Sequence, residues 1–97
     1  MARQIIWSPS ARWDLIDLRD YISLDSPDIA KRFISALFDA VEHLADFPLS
    51  GRVVPELRDE QIREVIKRPC RIVYRLNRNS IEIVRVWHSA RGIPEIY

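Results

Sequence analysis

The sequence predicts an α+β domain in which an N-terminal strand precedes an antiparallel helical hairpin and a three-stranded antiparallel sheet packed on that hairpin. Two Ser-Pro dipeptides each precede an apolar pattern with helical spacing, and three runs rich in β-branched residues follow toward the C-terminus. A chain of 97 residues buries one hydrophobic core, so residues 1–97 are predicted to form a single domain.

The first elements are a short strand and an amphipathic helix. The run RQIIW is apolar, carries β-branched residues and ends at Trp7, as expected of a strand. Ser8 and Pro9 then open a helix, because serine caps free amides and proline is tolerated in the first helical turn. The apolar positions of this helix share one face, and they are Ala11, Leu15, Leu18 and Ile22.

A second helix begins at Ser26 and Pro27, and Pro48 marks its end. The connection between the two helices is short, so we expect them to form an antiparallel hairpin. The predicted inner face of the second helix comprises Ala30, Phe33, Ile34, Leu37, Val41, Leu44 and Ala45.

Helical spacing is lost in LSGRVVPELRDEQ, where Gly51 and Pro55 indicate a connecting loop. The three strand-like runs that follow are IREVIK, CRIVYRL and SIEIVRVWH, with the turn NRNS before the last. Ile72, Tyr74 and Leu76 alternate with Arg71, Val73 and Arg75, so one sheet face is expected to meet the helices and the other to be basic. Simple alternation places Trp87 on one strand face with Ile81, Ile83 and Arg85, as a core residue or an interface anchor.

Composition excludes several classes of protein. Hydrophobic residues make up 47% of the chain and charged residues 30%, which is typical of a folded globule. Apolar runs are too short to span a membrane, and the N-terminus lacks the pattern of a signal peptide. The one cysteine, Cys70, has no disulfide partner and is expected to be buried and inert, so we expect a cytoplasmic protein.

No metal or cofactor site is predicted. His43 and His88 are far apart and no second cysteine is present, which disfavours zinc. The only glycines, Gly51 and Gly92, do not form a phosphate-binding loop.

Charge is distributed unevenly along the chain. Residues 1–60 carry seven Lys or Arg against eleven Asp or Glu, whereas residues 61–97 carry eight against three. A basic C-terminal half favours an anionic target, either nucleic acid or an acidic protein surface. A set of solvated strand arginines explains the same asymmetry equally well.

Four fragments together resemble the ParE branch of the RelE/ParE superfamily of toxins from type II toxin–antitoxin systems. They are WSPSARWDLIDLRDYI, FPLSGRVVPELRDEQIREV, CRIVYRL and VWHSAR, and they extend over nearly the whole chain. The resemblance implies a small toxin that binds DNA gyrase and blocks replication without catalysing a reaction. It also implies neutralisation by a ParD-like antitoxin, and leaves a homo-oligomer or a toxin–antitoxin heterotetramer open.

The alternative within the superfamily is a RelE-like, ribosome-dependent mRNA interferase. Such a nuclease needs a base, cations and an acid on one surface, and the candidates here are His88, Arg71, Arg91 and Tyr97. RelE-like enzymes carry catalytic lysines in the strand that here reads IREVIK, where Glu64 stands and only Lys67 is left. After the last strand, SARGIP lacks the further basic residues of those enzymes.

The binding interpretation assigns target or antitoxin contacts to a larger set of residues. This set is Arg63, Arg71, Arg75, Arg85, Trp87, His88 and Arg91. Structural roles compete with these assignments: His88 as a hydrogen-bonded strand end, Arg91 as the partner of a hairpin carboxylate, and Tyr97 as a frayed end. A toxin that has lost activity and persists as an antitoxin-binding module is a third hypothesis.

Overall fold

The structure, a computed structural model, describes residues 2–96 and confirms the predicted α+β fold class. Its elements are β1 (Gln4–Trp7), α1 (Pro9–Ser23), α2 (Pro27–Asp46), β2 (Arg52–Val53), β3 (Ile62–Lys67), β4 (Cys70–Leu76) and β5 (Ser80–His88), with a 3-10 turn at Ser89–Arg91. The bounds of β3, β4 and β5 coincide with the three strand-like runs of the sequence.

Both helices begin at their Ser-Pro pair, as predicted. The Ser8 hydroxyl accepts a hydrogen bond from the Ala11 N–H at 3.0 Å, and the Ser26 hydroxyl accepts one from the Ile29 N–H at 3.2 Å. These caps satisfy amides that have no partner within the helix. Residues 24–26 connect the two helices, and this short connection brings α1 and α2 together as a helical hairpin.

The sheet has five strands in the order β1-β5-β4-β3-β2, where three had been expected in the C-terminal half. At one edge β1 runs parallel to β5, with Trp7 opposite Ile83. At the other edge β2 pairs with β3 in the segment predicted to be a loop, with Arg52 opposite Glu64. A strand of two residues is too short for its alternation to be recognised in a sequence.

The strands define two ends of the sheet. At the β3–β4 end, Lys67 pairs with Cys70 and the two residues between them form the turn, with a cis peptide bond at Arg68–Pro69. His88 lies opposite Cys70, so the C-terminal end of β5 is also at this end. Residues 77–79 form the turn at the opposite, β4–β5 end.

The face of the sheet toward the helices is apolar, as predicted. Ile72 and Tyr74 of β4 and Ile81 and Ile83 of β5 are fully buried in one cluster with the helices. The fully buried helical members are Ala11, Leu37, Val41 and Leu44. Burial of a Leu or Ile side chain contributes about 1.5–3 kcal/mol, so this cluster is the main source of stability.

The other face of the sheet was predicted to be basic, and it carries Arg71 beside apolar residues that close it. Val73 is 0% exposed and packs in a second, smaller cluster with Val54 and Ile62. Leu57 and Ile96 pack against the same cluster. The face is closed because the loop after β2 and the C-terminal tail supply apolar residues from distant parts of the sequence.

A β-bulge in β5 changes which side chains share a face. Val73 is opposite Arg85, whereas its neighbour Tyr74 is opposite Ile83, so Val84 is an extra residue in β5. Side chains beyond the bulge alternate in the opposite sense from those before it.

Gly51 occupies a position where no other residue fits. Its N–H donates to the Tyr74 hydroxyl at 3.1 Å, and that hydroxyl donates to the Pro48 carbonyl at 2.7 Å. A Cβ at Gly51 would lie 2.5 Å from the Tyr74 hydroxyl oxygen and 2.6 Å from the Glu64 carbonyl oxygen. The close approach therefore ties the loop after α2 to β3 and β4.

Candidate functional site

Arg71 lies in a buried ion network rather than on an open basic face. Its Nη1 and Nη2 donate to the two carboxylate oxygens of Glu56 at 2.9 and 2.8 Å, and its Nε donates to Glu64. Glu64, whose side chain is 0% exposed, also accepts from Arg52 Nε at 2.7 Å. The hydrogen bonds that Arg71 donates lower the pKa of Glu56 to about 2, and its bonds to Glu56 and Glu64 raise the pKa of Arg71.

The other strand arginines are also engaged. Arg75 pairs with Glu82 across β4 and β5 at 2.9 Å. Arg85 forms a two-point ion pair with Asp14 of α1, at 2.8 and 2.9 Å, which raises the pKa of its guanidinium. Arg63 donates to the carbonyl of Gly51 at 3.0 Å. Their predicted contacts with a target remain a prediction, which this geometry does not favour because each guanidinium already donates to an acceptor within the protein.

Trp87 is a core residue. It is 2% exposed and lies opposite Arg71, so the bulge removes it from the face of Ile81 and Ile83 on which simple alternation placed it. Its Nε1 donates to the Gly92 carbonyl at 3.1 Å. Of the two roles proposed from the sequence, the core role is therefore the one that the burial supports.

Arg91 contacts an aromatic ring rather than a hairpin carboxylate. Its guanidinium carbon is 4.3 Å from the centre of the Trp87 ring, and that of Arg85 is 4.7 Å from the same centre. Within residues 2–96, Arg91 forms no ion pair. The cation–π contact holds the turn against the core and leaves the charge of Arg91 available to solvent.

His88 ends β5 and caps the 3-10 turn. Its Nδ1 accepts a hydrogen bond from the Ala90 N–H at 3.1 Å, so the neutral ring carries its proton on Nε2. A hydrogen-bonded structural histidine was one of the two roles considered for this residue, although the partner is the turn and not the sheet.

A cleft of about 260 Å³ lies between α1 and the end of β5. It brings together His88 and Arg91, two residues of the alternative catalytic set, with Tyr21 of α1. Its remaining lining residues are Asp14, Asp17, Leu18, Cys70 and Val86. Burial raises the pKa of Cys70 to about 11, so its thiol stays protonated and a weak nucleophile at neutral pH.

A second concave surface, the hairpin groove, lies between α1, α2 and the end of β1. It has a volume of about 430 Å³ and is lined by Trp7, Arg12, Leu15, Ile16, Arg19, Ile34 and Phe38. Trp7 and Phe38 form a tilted aromatic pair with ring centres 5.3 Å apart, while Phe38 is 41% exposed and Ile16 is 37% exposed. The arrangement suits an apolar helix face or side chain, with Arg12 placed to attract carboxylates and Arg19 in an exposed ion pair with Asp20.

Two apolar residues in the sequence indicate the hairpin groove, although helical periodicity alone does not identify it. Ile16 and Phe38 are apolar residues outside the predicted inner faces of their helices. Arg12, Ile16 and Arg19 have i, i+4, i+7 spacing and thus share a second side of α1. Apolar residues that depart from the inward stripe are therefore the signal for a binding surface.

Three predictions from the sequence need a separate statement. Tyr97 lies outside the described residues, so its predicted catalytic or frayed role is untested. Residues 2–96 contain no group of three or more His, Cys, Asp or Glu side chains arranged to hold a metal ion. In the same range, neither helix is long and apolar enough to cross a bilayer.

Comparison with known proteins places these features in a family context. The model of the family described as ParE toxin of type II toxin–antitoxin system, parDE, matches residues 5–93. Toxin RelE2 of Caulobacter vibrioides is 35% identical over 89 residues, which cover 91% of this chain and 97% of the relative. The putative toxin Y4kP of Sinorhizobium fredii is 33% identical over 96 residues, 97% of this chain and 96% of the relative.

Solved structures share the fold. A chain of the chromosomal ParDE system of P. aeruginosa superposes with a TM-score of 0.74 at 22% identity, covering 90% of this chain and 96% of that one. A chain of the RelBE2 toxin–antitoxin complex of Mycobacterium tuberculosis superposes with a TM-score of 0.65 at 22% identity, covering 91% and 99%. Both are toxin–antitoxin systems, and the likeness shows that this chain shares the fold of the matched chains.

Proposed function

The chain belongs to the ParE toxin family of type II toxin–antitoxin systems, and on this premise we propose that it inhibits DNA gyrase, blocks replication and is neutralised by a ParD-like antitoxin. The observation that supports inhibition by binding, rather than RNA cleavage, is the engagement of Arg71. A metal-free nuclease needs cations free to meet a developing negative charge. Here both guanidinium edges of Arg71 face carboxylates, one of them fully buried.

Electrostatics at this network oppose the approach of a phosphate. A phosphodiester that reached Arg71 would displace the bidentate carboxylate of Glu56 and would lie near the buried charge of Glu64. Two carboxylates beside a scissile phosphate repel it, and they already satisfy the arginine. Cleavage at this face would therefore require the ion network to open first.

A paired assay tests the proposal. Purified protein is added to a gyrase supercoiling reaction and, separately, to ribosomes translating a defined mRNA. We expect supercoiling to stop and cleaved DNA to accumulate, with the mRNA intact. Cleavage of mRNA in the ribosomal A site, with gyrase unaffected, would reverse the assignment.

One substitution sharpens this assay. Glu56→Gln releases Arg71 from its bidentate partner, so a nuclease that depends on Arg71 should cleave mRNA faster. Under the proposed function no cleavage emerges and gyrase inhibition persists. The matched control is Glu60→Gln, because Glu60 is an exposed residue of the same loop whose carboxylate forms no ion pair within residues 2–96.

The second candidate function is RelE-like cleavage of mRNA. Two observations favour it: the 35% identical relative is named Toxin RelE2, and the cleft at the end of β5 brings His88 and Arg91 together. If this function is correct, His88→Ala should lower the cleavage rate about 10²–10⁴-fold, as loss of a general base does. Unchanged growth arrest in a folded His88→Ala protein would exclude His88 as that base.

The hairpin groove is the surface that we assign to the antitoxin. Its apolar floor and its two arginines, Arg12 and Arg19, match an amphipathic helix with carboxylates along one edge. A disordered antitoxin tail that folds on binding would supply such a helix. Under this proposal the occupant is an acidic amphipathic segment, and the stoichiometry of the complex, including the heterotetramer, is measured separately by light scattering.

Matched serine substitutions test the groove. Ile16→Ser removes an apolar side chain from its floor and should weaken antitoxin binding about tenfold, since a partly buried anchor contributes about 1–2 kcal/mol. Trp13→Ser is the control, because Trp13 is 65% exposed on the same helix and does not line the groove. Equal affinities of the two variants would place the antitoxin elsewhere.

Charge reversal supplies an independent test of the same groove. Arg12→Glu with Arg19→Glu should slow antitoxin association and reduce its dependence on salt, because rim charges act mainly on the encounter. Salt dependence equal to that of the unmodified toxin would show that the antitoxin carries no carboxylates near these arginines.

A further inference from the structure

Three cations that form no ion pair within residues 2–96 lie close together at the β3–β4 end of the sheet. Arg32 of α2, Lys67 at the end of β3 and Arg68 of the turn have no carboxylate partner within residues 2–96. Arg52 uses its Nε for Glu64, yet its side chain remains 60% exposed. We call these four residues the cationic shelf. Three of them have no carboxylate partner within residues 2–96, and the fourth, Arg52, is far more exposed than Arg71, Arg75 and Arg85.

Two shallow hollows meet on this shelf and share Arg68. One has a volume of about 550 Å³ between α2 and the turn, and the other has a volume of about 540 Å³ between the turn and the end of β5. Their lining residues are Ile29, Arg32, Phe33, Ala36, Lys67 and Arg68 in the first, and Arg52, Ile66, Arg68, Pro69, His88 and Ser89 in the second. Among residues 2–96 no carboxylate lines either hollow, and each hollow is larger than a single small anion requires.

Hydrogen-bonding capacity narrows the class of ligand. Arginine and lysine only donate, and His88 presents a donor at Nε2 because its Nδ1 already accepts from Ala90. Of the residues within 2–96 that line the two hollows, only Ser89 supplies a side-chain oxygen, so their polar side chains offer many donors and almost no acceptors. A phosphodiester backbone has the complementary character, since it presents acceptors and negative charge at each repeat. A peptide would bring amide donors that find few partners here.

We propose that the cationic shelf binds the phosphodiester backbone of a nucleic acid without reading its sequence. Arg32, Arg52, Lys67 and Arg68 contact phosphates, while His88 and Ser89 add hydrogen bonds at the rim. The inference goes beyond the proposed function, because the contact requires no gyrase. When the toxin acts on gyrase, the shelf contacts the DNA that gyrase holds, and that second part rests on the proposed function.

Direct binding measurements test the shelf. The unmodified protein is titrated against a labelled DNA duplex and, separately, a labelled RNA strand, with anisotropy read from 50 to 200 mM salt. For a duplex we expect a Kd of roughly 10⁻⁴–10⁻⁶ M and a salt slope of about −3, as three to four phosphate contacts give. The DNA and RNA arms identify which nucleic acid supplies the backbone, and binding of either supports the shelf.

A matched pair of variants locates the contact. Lys67→Gln with Arg68→Gln should weaken duplex binding at least about tenfold at 50 mM salt and reduce the magnitude of the slope by about 2. Arg58→Gln with Arg78→Gln removes the same charge from exposed positions toward the β4–β5 end and should leave both values unchanged. Thermal unfolding of both variants confirms that they are folded.

Three results would overturn the inference. In the first, the Lys67/Arg68 variant binds nucleic acid as tightly as the unmodified protein. In the second, the Arg58/Arg78 control weakens binding as much as the Lys67/Arg68 variant does. In the third, the protein binds polyglutamate but neither nucleic acid. The third result would identify the shelf as a site for an acidic protein. Because the titrations contain no gyrase, duplex binding by a protein that fails to inhibit gyrase would overturn the proposed function and leave the shelf standing.

Discussion

The two faces of the sheet are closed in different ways. Against the helices, Ile72 and Ile83 belong to one apolar cluster that also includes Leu37. On the other face, a few apolar residues around Val73 lie beside a buried ion network centred on Glu64. The difference shows that arginines at alternate positions of a strand do not by themselves produce a face of unpaired positive charge. A neighbouring strand and a loop can supply carboxylates that pair with them.

The network stabilises the second face only while it is complete. Burying a carboxylate costs several kcal/mol of folding free energy. At Glu64 this cost is offset by hydrogen bonds from two arginines, Arg71 and Arg52. The helix-side face has no such requirement, because its apolar contacts act individually. The second face should therefore respond more sharply to the loss of one charge than to the loss of one methyl group.

The largest expected effect is that of Glu64→Ala. Removing this side chain leaves Arg71 buried with one partner instead of two, and breaking a buried pair costs about 3–5 kcal/mol. For a domain of this size, each kcal/mol lowers Tm by about 4–8 °C, so calorimetry should show a decrease of at least about 12 °C.

Two further variants make this first prediction specific. Glu60→Ala changes an exposed carboxylate of the same region and should leave Tm nearly unchanged. Glu64→Leu combined with Arg71→Met should recover much of the loss, because apolar side chains of similar volume replace both buried charges. A decrease in Tm no larger than that of Glu60→Ala would show that the network contributes little.

Core truncations compare the two faces directly. Leu37→Ala in the helix-side cluster should cost about 3 kcal/mol, whereas Val73→Ala in the smaller cluster should cost about 2 kcal/mol. The second cost is smaller because fewer methyl groups are removed and the covering loop can settle into the cavity. Denaturant titration measures both values, and a larger loss for Val73→Ala would reverse the ranking of the faces.

The C-terminal tail contributes to the second face, and its removal should cost more than loss of the adjacent histidine. Deletion from Arg91 onward removes Ile96 and the Gly92 and Glu95 carbonyls, which accept from Trp87 and Arg85. We expect a loss of about 2 kcal/mol for the deletion.

His88→Ala provides the comparison for the deletion. It removes the single hydrogen bond from the Ala90 N–H and should cost about 1 kcal/mol, and His88→Asn should restore part of that loss. Growth arrest on induction, read beside thermal stability, should persist in both histidine variants. A histidine variant that is less stable than the deletion would contradict the assignment of the tail to the second face.

The smallest expected effect is a pH dependence of the second face. Glu56 has a pKa of about 2 in the folded chain against an ordinary value of 4.5, so its ion pair stabilises the fold above about pH 5. This stabilisation is lost as pH falls toward 2, because the carboxylate must be protonated. Its side chain is 31% exposed, so we expect about 1 kcal/mol. Glu56→Gln should reduce the fall in the free energy of unfolding between pH 5 and pH 2, whereas Glu60→Gln should leave that fall unchanged.

The local part of this fold was predictable and the closure of the second face was not. Strand bounds, both Ser-Pro caps and the apolar positions of α2 follow from patterns within a few residues, and the structure confirms them. The partners of Arg71 and Arg85 come instead from a neighbouring strand, a loop and the first helix, at separations from 7 to 71 residues. No single-sequence pattern encodes those pairings.

Two other departures have equally specific causes. The bulge at Val84 is marked by neither glycine nor proline, so alternation placed Trp87 on the wrong face. The hairpin groove was recognisable only from Ile16 and Phe38, which lie outside the inner stripes of their helices. The binding role of the candidate site residues stays a prediction, and their environments depend on long-range contacts.

The parallel pairing of β1 with β5 also has a consequence for synthesis of the chain. Ser8 donates its hydroxyl hydrogen to the carbonyl of Val84, a residue 76 positions later. At about 5–20 residues per second, a ribosome takes roughly 4–15 s to make the intervening polypeptide. Throughout that interval the first strand has no partner and the sheet is incomplete. A cell that makes this protein thus has several seconds per molecule in which an antitoxin already present can meet the nascent chain.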